Sequence, residues 1–170
     1  VFESVIAWGN GTDTRNSLGD QSGLHIDETT AGVVRHATLF GNGTYGYQQG
    51  TGTSTGTNVI LAGNRSYGAR AVVGTLTLSY ADIYGNATGT TTTASGGTVN
   101  ATNGLTSAPL FVGGASPDTT QEFKLLPSSA LRRTGLDLNL GNIQDNGNRA
   151  FAHPPSIGAW EAASGDIATA

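Results

Sequence analysis

The sequence predicts an all-β chain wound as a parallel β-helix, and three observations carry that expectation. The composition is rich in Gly, with 26 residues, and only 12% of the chain is charged. Together with abundant Thr and Asn, this favours short strands and tight turns over helices. One phrase then recurs as "SVIAWGNGT", "HATLFGNGT", "NVILAGNRS" and "YADIYGNAT", placing Gly9, Gly41, Gly63 and Gly85 in register at spacings of 32, 22 and 22 residues. A period in the low twenties with one strand phrase per period is that of a solenoid coil. Finally, the residues before each glycine alternate in character with the period of two that a strand requires.

Each coil can be justified in turn. Four before the glycine stand Val5, Ala37, Val59 and Ala81, and two before stand Ala7, Leu39, Leu61 and Ile83. All are apolar and are expected to point inward and stack coil on coil. The intervening position, Ile6, Thr38, Ile60 and Asp82, is mixed and reads as outward. The residue just before the glycine shares that parity and holds Trp8, Phe40, Ala62 and Tyr84, so Trp8, Phe40 and Tyr84 form an aromatic stripe expected to contact a glycan, a covering segment or a subunit. Behind each glycine stand Asn10, Asn42, Asn64 and Asn86. Gly and Asn both accept left-handed backbone angles, so each pair is read as a corner, with asparagines able to hydrogen-bond up the stack. A leucine-rich repeat has a similar period, but its leucine framework is missing.

Residues 1–104 are thus read as coils, with polar loop insertions near 11–32 and 87–104; residues 105–162 form a terminal coil and cap, and 163–170 a flexible tail. The stretches "SAPLFV" (107–112), "EFKLLPSSALRRTG" (122–135) and "PPSIGAWE" (154–161) resemble the C-terminal ending of bacterial surface and phage-encoded right-handed parallel β-helix proteins. That resemblance implies a right-handed solenoid whose last segment covers the apolar end and blocks strand addition. Ala108 and Ser156 stand where those proteins usually have Asp, and Arg132 and Arg133 occupy a stretch where an Asp is often found, so acid or calcium chemistry is not carried over.

The formal charge is −4 with only eight Lys and Arg. No basic stripe can neutralise a phosphate backbone, so nucleic acid is not an expected partner. Cysteine is absent, no apolar run approaches the length of a membrane span, and no signal-peptide pattern opens the chain, so membrane insertion is not expected. Val1 opens directly into a strand phrase, which reads as a processed product or part of a longer chain.

"GNGTYG" and "GTSTG" match dinucleotide and nucleophile-elbow patterns without the helices those need. His25, His36 and His153 show no zinc spacing, and neither metal nor cofactor is expected. The carboxylates and bases that sugar cleavage requires gather only near the first insertion, as Asp20, His25, Asp27, Glu28, Arg35 and His36. Five Asn-x-Ser/Thr sequons begin at Asn10, Asn42, Asn64, Asn86 and Asn100, four of them at the corner.

These readings converge on a non-catalytic structural or adhesion module of a virion appendage, capsid decoration or bacterial surface protein. It is expected to be extracellular and to assemble as a homo-oligomer, a trimer by analogy, with polysaccharide a possible partner. The alternative is a polysaccharide lyase or glycoside hydrolase with its site around residues 20–36.

Overall fold

In the computed structural model, which describes residues 1–11, 21–27, 29–140 and 144–161, the chain is a parallel β-solenoid. One sheet stacks β1 (Phe2–Glu3) and β2 (Ile6–Trp8) on β4 (Thr29–Phe40), then β6 (Gly52–Ala62), β8 (Thr75–Tyr84) and β10 (Thr98–Thr102). A second sheet stacks β3 (Leu24–Ile26), β5 (Tyr47–Gln49), β7 (Tyr67–Ala71) and β9 (Gly89–Thr93). Every strand pairing is parallel, because each coil returns the chain one rung higher in the same direction.

The period of the sequence is the register of the sheets. Ala37 pairs with Val59 and Val59 with Ala81, and these residues join Leu39, Leu61 and Ile83 in the interior core. Val5 and Ala7 pack on that core from the first coil. The excess in the first period is localised: Ile6 pairs with Thr38, whereas Leu24 already pairs with Tyr47. The extra residues therefore lie between Trp8 and Leu24, largely within residues 12–20, outside the described residues.

The Gly-Asn corner forms as its residue types dictate. Gly9, Gly41, Gly63 and Gly85 have φ of 63°, 62°, 64° and 61°. Asn42 donates from its backbone N–H and its Nδ2 to Oδ1 of Asn64, at 3.0 and 2.9 Å. Asn64 repeats the pattern onto Asn86 at 3.0 and 2.8 Å. Each amide also reaches a carbonyl of the coil below, Asn64 to Leu39 and Asn86 to Leu61. A second corner is absent from the sequence reading: Ser4, His36, Asn58, Tyr80 and Asn103 all take positive φ between 51° and 56°, at stacked positions of the first sheet. Four different side chains occupy that column, so no repeated residue type announces it.

Two expectations are corrected. Residues 87–104, read as a loop insertion, supply β9 and β10 and complete a regular coil. Their Thr-rich sequence suits a strand, and their polar side chains suit the largely exposed last rung. The 105–162 segment, read as a terminal coil and cap, begins with a bridge from Leu105 to Asp82 and then runs back along the side of the solenoid. Asn58 holds it by accepting from the Leu136 N–H at 2.7 Å and donating to its carbonyl at 2.9 Å. Ala159 N–H donates to Thr38 Oγ1 at 3.2 Å, and Asn146 Nδ2 reaches the Ser4 carbonyl on the first coil at 2.6 Å. The cause is the apolar outward face, where Ile60 and Ala62 join Phe111, Phe123, Leu131, Ile157 and Trp160 in a second core. The tail expected at 163–170 lies outside the described residues.

Removing one ladder amide tests how far the stack depends on it. Asn64→Ala removes the acceptor shared by two Asn42 donors and one donor to the Leu39 carbonyl in a buried corner, and is expected to cost about 3 kcal/mol in urea unfolding. Asn10→Ala, at the exposed end of the same ladder, is expected to cost less than about 1 kcal/mol.

Candidate functional site

The aromatic stripe divides between the second core and the surface. Trp8 packs on Phe123 with ring centroids 5.4 Å apart, and Phe40 meets Phe111 and Phe123 at 5.6 and 5.7 Å. These two rings contact the returning C-terminal segment. Tyr84, one coil beyond the Ala62 position of the second core, is 41% exposed.

Between Tyr84 and the segment opens an apolar cleft of about 460 Å³, lined by Phe40, Ala62, Tyr84, Leu110, Phe111 and Leu126 among others. Its rim is unusual in one respect. Leu110 holds a left-handed backbone, φ 52°, and leaves its side chain 41% exposed. A branched apolar residue in that conformation costs about 1–2 kcal/mol, and the exposure recovers little of it by burial.

The described members of the polar set expected near the first insertion are divided between the two sheets. Asp20 and Glu28 lie outside the described residues. His25 stands on the outer face of the second sheet, where its Nε2 is 3.4 Å from Gln48 Nε2. Asp27 follows on the same strand edge and accepts from the Thr51 N–H and Oγ1 at 2.8 and 3.1 Å. His36 belongs to the bend of the first sheet, is buried, and stacks on Phe151 at 3.8 Å. Arg35 pairs with Glu3 at 2.9 Å. His25 and Asp27 thus lie along the second sheet and Arg35 and His36 on the first, because the chain turns between the sheets.

A different histidine pairing was not legible. His153 Nδ1 lies 2.7 Å from Asp137 Oδ2, and both line a recess of about 60 Å³ that also touches His36 and Phe151. Sixteen residues separate the partners, and no strand period links them, so only the returning segment brings them together. The recess has room for a few water molecules, less than a sugar ring needs. Among the described residues no group of three or more His, Cys, Asp or Glu is placed to hold a metal ion.

Two buried ionisable groups fasten the segment. Asp82 Oδ1 accepts the Ser107 N–H at 2.9 Å while Oδ2 has no partner, and burial pushes the carboxyl up to about 7. Burial, with Arg35 adjacent, holds His36 down at about 4. The sequons are sorted by the same packing. Asn42 and Asn64 are fully buried in the ladder and closed to a glycan, whereas Asn10 and Asn100 are exposed.

No family model matches this chain, and no curated protein or solved structure is significantly similar to it.

The two buried groups give opposite pH slopes. An unfolded His36 takes a proton near its ordinary 6.5, before the folded one does, so its contribution is lost as pH falls from there towards about 4. Folded Asp82 keeps its proton up to about 7, against 3.8 unfolded, so stability is lost as pH rises across that interval. Asp82→Asn is expected to stabilise the chain by about 2 kcal/mol at pH 8 and to leave a curve that only falls towards acid, measured by urea unfolding from pH 4 to 8.

Proposed function

We propose that this chain is a rigid, non-catalytic structural or adhesion module that contacts its partner through the cleft beside Tyr84. The observation that carries the reading is Leu110, a strained, solvent-facing leucine set across an apolar cleft from an equally exposed tyrosine. Strain and exposed apolar surface both favour a surface completed by a partner. The flat Tyr84 ring suits stacking on a sugar or on a side chain of a neighbouring subunit.

The β-solenoid supports the structural half of the reading, since stacked coils give a stiff rod with side surfaces for display. The C-terminal stretches that resemble phage and bacterial surface β-helix proteins support an extracellular setting, in a virion appendage or decoration or at a cell surface. Assembly as a homo-oligomer, a trimer by analogy with such appendages, would cover the exposed coil ends as well as the cleft.

The test is a double variant, Tyr84→Ser with Leu110→Ser, compared with the parent by analytical ultracentrifugation and by binding to a glycan array. The parent is expected to self-associate or to retain glycans, and the variant to lose that property at least tenfold with an unchanged circular dichroism spectrum. A parent that is monomeric and retains nothing overturns the reading. So does turnover of a polysaccharide that disappears in His25→Ala or Asp27→Ala.

A further inference from the structure

We propose that the outer face of the second sheet is a binding site for a carboxylate-bearing polysaccharide, centred on Arg70. The proposal extends the adhesion reading to a second surface and rests on it only for the broad role. Parallel pairing of β3, β5, β7 and β9 stacks His25, Gln48, Arg70 and Thr92 in one outward column. The column is outward because its neighbours in sequence, Tyr47, Ala69 and Ala71, are wholly buried in the interior core. Successive rungs lie about 4.8 Å apart, so a linear polymer laid along the column passes the exposed His25 and the half-buried Arg70 and Thr92, with the buried Gln48 beneath it.

Arg70 is held in place by neutral groups. Its Nη1 donates to Tyr45 Oη at 3.0 Å and to Gln48 Oε1 at 3.4 Å, and its Cζ stands 4.9 Å over the Tyr45 ring. Arg35 and Arg149 are paired with Glu3 and Asp145, but no described carboxylate lies within ion-pair distance of Arg70. A half-buried guanidinium fixed on one edge, with its remaining N–H groups uncommitted, presents the planar fork that matches a carboxylate. Gln48, 93% buried, orients that fork rather than meeting solvent, since its relative exposure is 7%.

A stacked pair of tyrosines stands three residues upstream of the column, and the first of them, Tyr45, reaches Arg70. Tyr67 follows Tyr45 one coil on, and its ring lies over Gly89, where an added Cβ would come within 3.1 Å of Cε1. The Tyr45 ring beside a fixed cation suits a sugar that offers both an apolar edge and an acid group. The net charge of −4 disfavours general attraction of polyanions, so recognition must come from this local arrangement.

The full chain is titrated calorimetrically with polygalacturonate, with its carboxyl-reduced neutral counterpart and with a sulfated dextran, alongside Arg70→Gln, Arg70→Lys and the Tyr84→Ser, Leu110→Ser variant. Polygalacturonate is expected to bind the parent, to bind Arg70→Gln at least about tenfold more weakly, to bind Arg70→Lys at an intermediate level, and to weaken as salt rises. Unchanged binding to the Tyr84 and Leu110 variant separates this face from the cleft, so one can fail while the other stands. No binding of polygalacturonate, equal binding of the neutral polymer, or an undiminished Arg70→Gln each overturns the proposal. Retention of sulfated dextran in place of the uronate overturns the carboxylate assignment.

Discussion

A solenoid stands only if every coil brings its chain back to the same place one rung higher, and here the Gly-Asn corner enforces that return. The glycine takes a left-handed turn that side chains resist, and the asparagine then bonds its own copy in the next coil. The ladder satisfies donors that would otherwise be buried without partners, so a coil of the wrong length is penalised at the corner as well as in the core. The inward stack of Ala37, Leu39, Val59, Leu61, Ala81 and Ile83 depends on that registration. So do the outward columns, because alternation carries one error in register through every side chain of a strand.

The second constraint acts from outside the coil. An apolar outward face would be costly in water, and the C-terminal segment removes it by lying along Ile60, Ala62, Phe40 and Trp8. The segment is also braced internally by polar groups. Asp145 accepts from the Arg149 side chain and from the Glu161 N–H, while Glu161 accepts from Ser156, so the two acids brace the end of the segment. Asp82 and His36 are buried beneath the same segment, and their opposing proton preferences act over the same pH interval, so the two slopes largely offset each other in the parent chain.

What the segment leaves uncovered defines the surfaces available for recognition. One is the cleft beside Tyr84, apolar and bordered by a strained leucine. The other is the column through Gln48 and Arg70, polar, aromatic and carrying a cation without an acid partner. Their chemistries differ enough that they suit different partners: an apolar cleft favours a side chain or a ring face, whereas the guanidinium favours an anion. A stiff rod holding both is consistent with a module that displays surfaces rather than one that closes around a substrate.

The sequence by itself determined the parallel β-helix, its inward positions and its Gly-Asn corners, because each follows from chemistry repeated at fixed spacing. It pointed to Trp8, Phe40 and Tyr84 as a face that touches something, since three aromatics at an outward position violate the local pattern. Only the tertiary structure decided what covers that face, because the match between Phe40 and Phe111 or Phe123 depends on the path of a segment with no period of its own. The same holds for the pairing of His153 with Asp137 and for the separation of His25 and Asp27 from His36. Thr-rich β9 and β10 escaped the reading because an exposed end coil needs no apolar alternation. The Arg70 column escaped it because its four residues differ, and only parallel pairing sets them side by side.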